Sequence, residues 1–250
     1  MKSPVHSYGK LCGLFYDATE TFASEHEVNF YASFIPSCGS RTLEAMSGSG
    51  RLQIPLLTRG YLVDGVDRSS AMLDRCRSRC ADLKLAPNLY EQSLENLDLP
   101  CNYSTVTIAI GSFQLIADRF VAEQALKKIH THMSQGGNLL IDIFVPACTQ
   151  GTRSTRVARI DENTEVRLAT RYQFDEHARI IDAFCSYDLV VDGMVRHQEN
   201  ELVQATWYTD EELTQLLAAA GFEVVAFYDE SFRSAGPSRV VHAKKILAAL

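Results

Sequence analysis

A chain of 250 residues that is 46% hydrophobic and 22% charged has the balance of a globular protein with a sizeable core. Its net charge of -7, with no concentration of lysine or arginine, excludes a phosphate-backbone footprint, so no nucleic acid is expected as partner. The absence of a signal-like apolar core or a membrane-length run, with seven scattered cysteines, predicts a cytoplasmic protein that has reduced thiols and no membrane contact.

In chain order, an irregular start gives way to a helix over 24–38, where Ser24 can cap and Val28, Tyr31, Phe34 and Ile35 recur at helical spacing. A short strand over 41–46 leads through the loop SGSG into a helix around LQIPLLTRG. Gly60 ends that helix, and YLVDGVD (61–67) is the next strand. Ser69 or Ser70 then caps a helix through AMLDRCRSRCADL. Strand, glycine loop, helix and strand make a crossover unit, which implies a parallel pair.

Strands are predicted at 89–94 and 105–110, a helix at 119–133 and a very apolar strand at 137–145. From about Gly151 the intervening helices disappear. EVRLATRYQF, ARIIDAFCSYDLVV and MVRHQENELVQATWY read as antiparallel strands, with turns at Asp175 to Ala178 and at Asp192-Gly193. A capping box at Thr209 and Glu212 opens the last helix, followed by strands at 222–229 and 238–245. The last strand is reached without a helix, which favours an antiparallel partner.

Ligands of such sheets bind outside the carboxyl ends of the strands, here at SGSG. Gly48 and Gly50 can take positive φ and let a ligand lie against the backbone, although a tight turn with no ligand would use the same residues. Asp67 ends the second strand and is placed either for the two hydroxyls of a ribose or for the dipole of the following helix. Gln53 stands where a dinucleotide loop would carry its third glycine.

The stretch LEAMSGSGRLQIPLLTRGYLVDGVDRSSAMLDRCRSRC resembles motif I through the second strand of class I S-adenosylmethionine-dependent methyltransferases. NLYEQSLENLDLP, GSFQLI, LKKIHTHMSQGGNLLIDIF and LLAAAGFEVVAFYDE resemble later segments of that family. The resemblance implies an α/β fold with a doubly wound, Rossmann-like sheet of seven strands, the last antiparallel, plus a small antiparallel β insertion. It implies one domain over 1–250, with an N-terminal helical flap over 1–38 and a lid or interface over 151–205.

By the same resemblance, Glu44, Met46, Ser47, Gly48, Ser49 and Gly50 line the methionine half of S-adenosylmethionine, and Asp67 holds the ribose. Arg68 and Met72 flank adenine, Ser93 and Leu94 close its far side, and Gly111 and Ser112 meet the methionine moiety. Met46 replaces the family's first glycine, and Ser93 stands where an aspartate often receives the adenine amino group. A flexible Met46 side chain folded into the core behind the loop would leave Gly48 and Gly50 free for the close approach.

The expected reaction is methyl transfer to N, O or C of a small molecule, with Tyr16 and Gln114 as acceptor contacts, no assigned catalytic residue and no metal. The acceptor is expected over the sulfonium, beneath the insertion and the N-terminal segment, in a monomer or homodimer. A non-catalytic cofactor-binding or scaffold protein is the alternative, and a nicotinamide-dependent oxidoreductase stands third. Cys76 and Cys80, four residues apart on one helix, lack an adjacent second pair of metal ligands and read as plain thiols.

Overall fold

The computed structural model describes residues 9–36, 39–144, 151–233 and 236–246. Cys38 and Cys148, two of the seven cysteines, lie outside them. Contacts divide the described chain into two compact units, one of residues 9–21 and 151–206, the other of 22–144 and 207–246.

The larger unit is built on a seven-stranded sheet. In chain order its elements are α2 (Glu25–Ala32), β1 (Arg41–Ala45), α3 (Gln53–Thr58), β2 (Leu62–Asp67), α4 (Ser70–Asp82), β3 (Leu89–Glu91), β4 (Tyr103–Ile108), α5 (Arg119–Thr131), β5 (Met133–Phe144), α6 (Asp210–Ala219), β10 (Phe222–Arg233) and β11 (Gly236–Lys245). The strand order is β10-β11-β5-β4-β1-β2-β3. β1 to β5 are parallel, whereas β11 pairs antiparallel with both β5 and β10. The expected doubly wound sheet with its antiparallel last strand is therefore the observed one.

Alternation along the strands assigns the two faces of this sheet. Leu43 and Ala45 of β1 join Val106, Ile108, Leu139 and Ile141 against Ala122, Leu126 and Ile129 of α5 and Leu213 and Leu217 of α6. Across the sheet, Val63 and Leu140 pack under Val28 and Tyr31 of α2 and Leu56 of α3. Burying a Leu or Ile side chain is worth roughly 1.5–3 kcal/mol, so these two layers hold the sheet. Glu44 lies between Leu43 and Ala45 in sequence, and the period of two turns it away from the α5 layer.

The capping signals of the sequence are realised. Ser24 accepts from the Glu27 amide, Ser69 from Met72, and Thr209 and Glu212 close a reciprocal capping box. The helix expected over 24–38 is shorter, ending at Ala32 ahead of Pro36. β3 stops at Glu91, short of the expected Leu94, because Ser93 begins a 3-10 turn. β5 begins four residues before the expected 137.

The smaller unit carries α1 (Lys10–Thr19) on a sheet of order β6-β7-β8-β9. Its strands are β6 (Arg153–Arg159), β7 (Thr164–Asp175), β8 (Ile180–Val191) and β9 (Met194–Thr206), all antiparallel. Asp192 and Gly193 both take positive φ in the hairpin turn, and the Asp175 carboxylate receives the Ala178 amide in the other. β6 and α1 are additions to the sequence reading, which placed no strand at 153–159 and left the start irregular. α1 has no side-chain cap of its own. The carboxylates of Glu201 and Glu199 on β9 receive the Gly9 and Leu11 amides. Leu11, Cys12 and Phe15 pack on Ala158, Val166, Cys185 and Tyr187.

Candidate cofactor site at the carboxyl ends of the strands

The chain leaves β1 by a left-handed step at Met46, whose φ is 59°. Glycine supplies this conformation without cost, and an L side chain there is strained. The Met46 side chain is half-buried against the core formed with α5 and α6, as folding it behind the loop requires. A second such step follows β4, where Ile110 has φ 48° and Gly111 φ 70°. β-branched residues rarely adopt it. β1 and β4 are neighbours, so the two strained turns lie at the ends of adjacent strands.

The loop closes onto β2 through the Ser47 amide, which donates to the Val66 carbonyl at 3.0 Å. Gly48 then donates its amide to the Asp67 carboxylate at 2.9 Å, and the Ser69 amide reaches the other oxygen at 2.8 Å. These two amides, with that of Arg68, occupy part of a carboxylate's roughly four acceptor positions. Burial is the largest influence on Asp67 and raises its pKa, opposed by these amides.

The glycines are needed for clearance. A Cβ on Gly50 would stand 2.7 Å from Cys76 Sγ, and one on Gly65 of β2 would stand 2.7 Å from both Ser47 Oγ and Gln53 Oε1. A Cβ on Gly48 would meet Met72 Cε at 3.3 Å, so the Met72 side chain lies directly against the loop.

Glu44 is 4% exposed, and its Oε2 has no hydrogen-bond partner; the buried Ser47 Oγ has none either. Buried polar atoms are ordinarily paired, and orphans at the end of a strand are what a polar ligand would satisfy. Burial, with Glu27 and Asp67 nearby, raises the Glu44 pKa to about 8 against the pull of Arg51 and of the Gln53 amide. The residues present thus fit a ligand with a ribose and an amino-acid head.

Other expected residues are placed differently. Ser49 is buried, and Arg79 Nη1 donates to its carbonyl at 3.0 Å and to its hydroxyl at 3.2 Å, so this serine ties the loop to α4. Arg68 is exposed, while Met72 is buried in the first turn of α4. Ser93 accepts from Asn96 and opens the 3-10 turn, and Leu94 is buried in the core. Gln114 corrects the sequence reading. It is fully buried, donating to the Phe144 carbonyl at 2.8 Å and accepting the Phe144 amide at 2.7 Å. Those bonds make it a brace between the β4 turn and the end of β5, and not a free acceptor contact. Tyr16 is half-buried on α1 of the other unit.

Sequence reasoning missed a buried ion pair. Arg51, next after the glycine loop, donates through both terminal nitrogens to the two oxygens of Glu27 on α2. Tyr31, one turn further along α2, is fully buried with an unpartnered hydroxyl in the field of Glu27, Arg51, Glu44 and Asp142. The available signal was one acid on the apolar face of a predicted helix and one base inside GRLQIPLL. Among the described residues, no group of three or more His, Cys, Asp and Glu side chains is gathered to hold a metal ion.

Residues 42–137 match the family model of a methyltransferase domain. A presumed methyltransferase of Geobacillus sp. (strain WCH70) is 26% identical over 103 residues, 41% of this chain and 42% of that protein. The match thus spans about two fifths of the relative's length.

Among solved structures, an S-adenosylmethionine-dependent methyltransferase from Clostridium acetobutylicum ATCC 824 is 17% identical, covers 96% of this chain and 99% of its own, and has a TM-score of 0.76. The sugar N-methyltransferase KedS8 from Streptoalloteichus sp ATCC 53650 is 19% identical over 96% of both chains, TM-score 0.76. CalS10, an amino pentose methyltransferase from Micromonospora echinaspora solved with S-adenosylmethionine bound, is 18% identical over 97% of this chain and 100% of its own, TM-score 0.70. Residues 42–137 thus match a methyltransferase domain, and the chain shares its fold with S-adenosylmethionine-dependent methyltransferases of known structure.

Proposed function

We propose that this protein transfers a methyl group from S-adenosylmethionine to a nitrogen, oxygen or carbon of a small molecule. The observation that carries the reading is the set of buried, unpartnered polar atoms at Glu44 and Ser47 beside a loop whose Gly48 and Gly50 have positive φ. Asp67 would receive the ribose hydroxyls, with the Gly48 and Ser69 amides holding its carboxylate in place. Glu44, Met46, Ser47, Gly48, Gly50 and Gly111 would surround the amino-acid half, and Met72 would lie against the adenine.

The cofactor supplies a methyl group on a positively charged sulfur, which is its own leaving group. Transfer by in-line displacement asks the protein chiefly for proximity and alignment. The braced ends of β4 and β5 and the strained turns at Met46 and Ile110 provide that rigidity. A general base is needed only where the acceptor must lose a proton in the transfer. The similarity in fold to an amino pentose methyltransferase and a sugar N-methyltransferase makes amino sugars the first acceptors to screen.

Isothermal titration with S-adenosylhomocysteine tests the reading, with Gly48→Arg and Asp67→Ala as controls. Saturable wild-type binding that disappears in Gly48→Arg and weakens at least tenfold in Asp67→Ala (about 1.4 kcal/mol) is the expected result. Failure of the folded wild type to bind millimolar ligand would remove the methyltransferase assignment.

A further inference from the structure

The glycine loop has little of its own to keep it in shape. Gly48 and Gly50 both stand at positive φ. α3, which follows, is a helix of six residues whose N-cap, Leu52, offers no side-chain bond to the first turn. Glycine loses more conformational freedom on folding than any other residue, so a loop with two of them is costly to order unless its surroundings hold it.

Those surroundings close on Ser49 and Arg51. Arg79, in the last turn of α4, donates from one nitrogen to both the carbonyl and the hydroxyl of Ser49, the residue between the two glycines. The Phe22 ring lies 4.5 Å from the same guanidinium. Next in sequence, the Ala23 amide donates to the Arg51 carbonyl at 2.9 Å, and the Arg51 side chain reaches back to Glu27 on α2. The end of α4 and the stretch from Phe22 to Glu27 thus hold the loop at successive points.

Resting on the proposed cofactor reading, we infer that Arg79 is a positioning residue for the cofactor. It holds the glycine loop in its binding shape before the ligand arrives, and Phe22 keeps the guanidinium aimed at Ser49. A loop ordered in advance leaves no ordering cost to be met on binding. Arg79 acts through Ser49 and takes no part in bond making. Its effect therefore falls on the amino-acid half of the ligand, which the loop surrounds. The nucleoside half is spared, because the Asp67 carboxylate is also held by the Ser69 amide.

The test is calorimetric titration with S-adenosylhomocysteine and with 5′-methylthioadenosine, which keeps the nucleoside and lacks the amino-acid head. Arg79→Met keeps the stem of the side chain and removes its donors. It should weaken S-adenosylhomocysteine about tenfold and 5′-methylthioadenosine by less than about threefold. Phe22→Ala, at a ring that is 45% exposed, should give a milder loss of the same selectivity, about threefold, and no further loss in the Arg79→Met background. Undiminished affinity in Arg79→Met, equal losses for the two ligands, or a Phe22→Ala effect that is the same in both backgrounds would overturn the inference and leave the cofactor reading standing. Failure of wild type to bind S-adenosylhomocysteine would overturn both.

Discussion

Arg51 and Glu27 meet through two parallel hydrogen bonds in a place where neither side chain reaches solvent, joining the exit of the glycine loop to the first turn of α2. Such a pair is costly to desolvate and still more costly to break, because the survivor is left as a lone buried charge. Arg51→Met and Glu27→Gln should each lower stability by roughly 3–5 kcal/mol. The double replacement Glu27→Leu with Arg51→Met should cost less than the sum of the two, as urea unfolding would reveal. Additive losses would mean that the pair is not a coupled unit.

Glu44 should make stability fall as the solution becomes more alkaline. Its folded pKa, about 8, is raised from an ordinary value of 4.5, so the folded protein holds a proton that the unfolded chain has already lost. The contribution is fully present below the ordinary value, declines by about 1.4 kcal/mol per pH unit through the window, and levels off above the folded value. Relative to wild type, Glu44→Gln should gain melting temperature steadily from pH 5 to pH 8, by roughly 2–4 °C per kcal/mol. A Tm difference that stays constant over that range would contradict the buried, protonated carboxyl.

Met46 should tolerate glycine better than valine. Glycine relieves a left-handed residue that costs roughly 1–2 kcal/mol, and loses the packing of a half-buried thioether of similar size. Met46→Gly should therefore stay within about 1 kcal/mol of wild type. Met46→Val keeps the strain, adds a β-branch and shortens the side chain, and should be the less stable by about 2 kcal/mol in denaturant unfolding. Equal stability of the two variants would show that the turn is not held in the left-handed form.

Gln114→Ala should remove the side-chain bonds to the Phe144 amide and carbonyl, at a cost of about 1–3 kcal/mol for each bond that water does not replace. Gln114→Glu can accept from the amide but cannot donate to the carbonyl, and should fall between wild type and Ala. Hydrogen exchange at the Phe144 amide reads this directly, with protection lost in Ala and partly kept in Glu. Unchanged protection in Gln114→Ala would remove the brace.

Local signals explain why much of the fold was legible. Ser69, Thr209 with Glu212, and Asp192-Gly193 are short-range devices whose geometry depends on neighbours within four residues, and the structure realises each one. The glycine loop was legible for the same reason. Long-range pairings were not. The cap of α1 comes from Glu199 and Glu201, and the partner of Arg51 lies 24 residues back on α2. The partner of Gln114 is the backbone of Phe144, which carries no side-chain signature at all. β6 escaped notice because RSTRVAR is charged and mostly exposed, as suits an edge strand.

The smaller unit is assembled from two separated stretches, and that arrangement bears on the order in which the protein can be made. Leu11, Cys12 and Phe15 are synthesised well over a hundred residues before Val166, Cys185 and Tyr187, the side chains that will cover them. The carboxylate that receives the Gly9 amide follows after 192 residues. Until the ribosome has delivered β9, this first helix has neither its apolar partner nor its cap, while the strands from β1 to β5 are already out and can begin to pair. Contacts this distant along the chain form late. The nascent protein therefore carries an uncovered apolar helix until β9 has been made, which is where chaperone dependence or misassembly would concentrate.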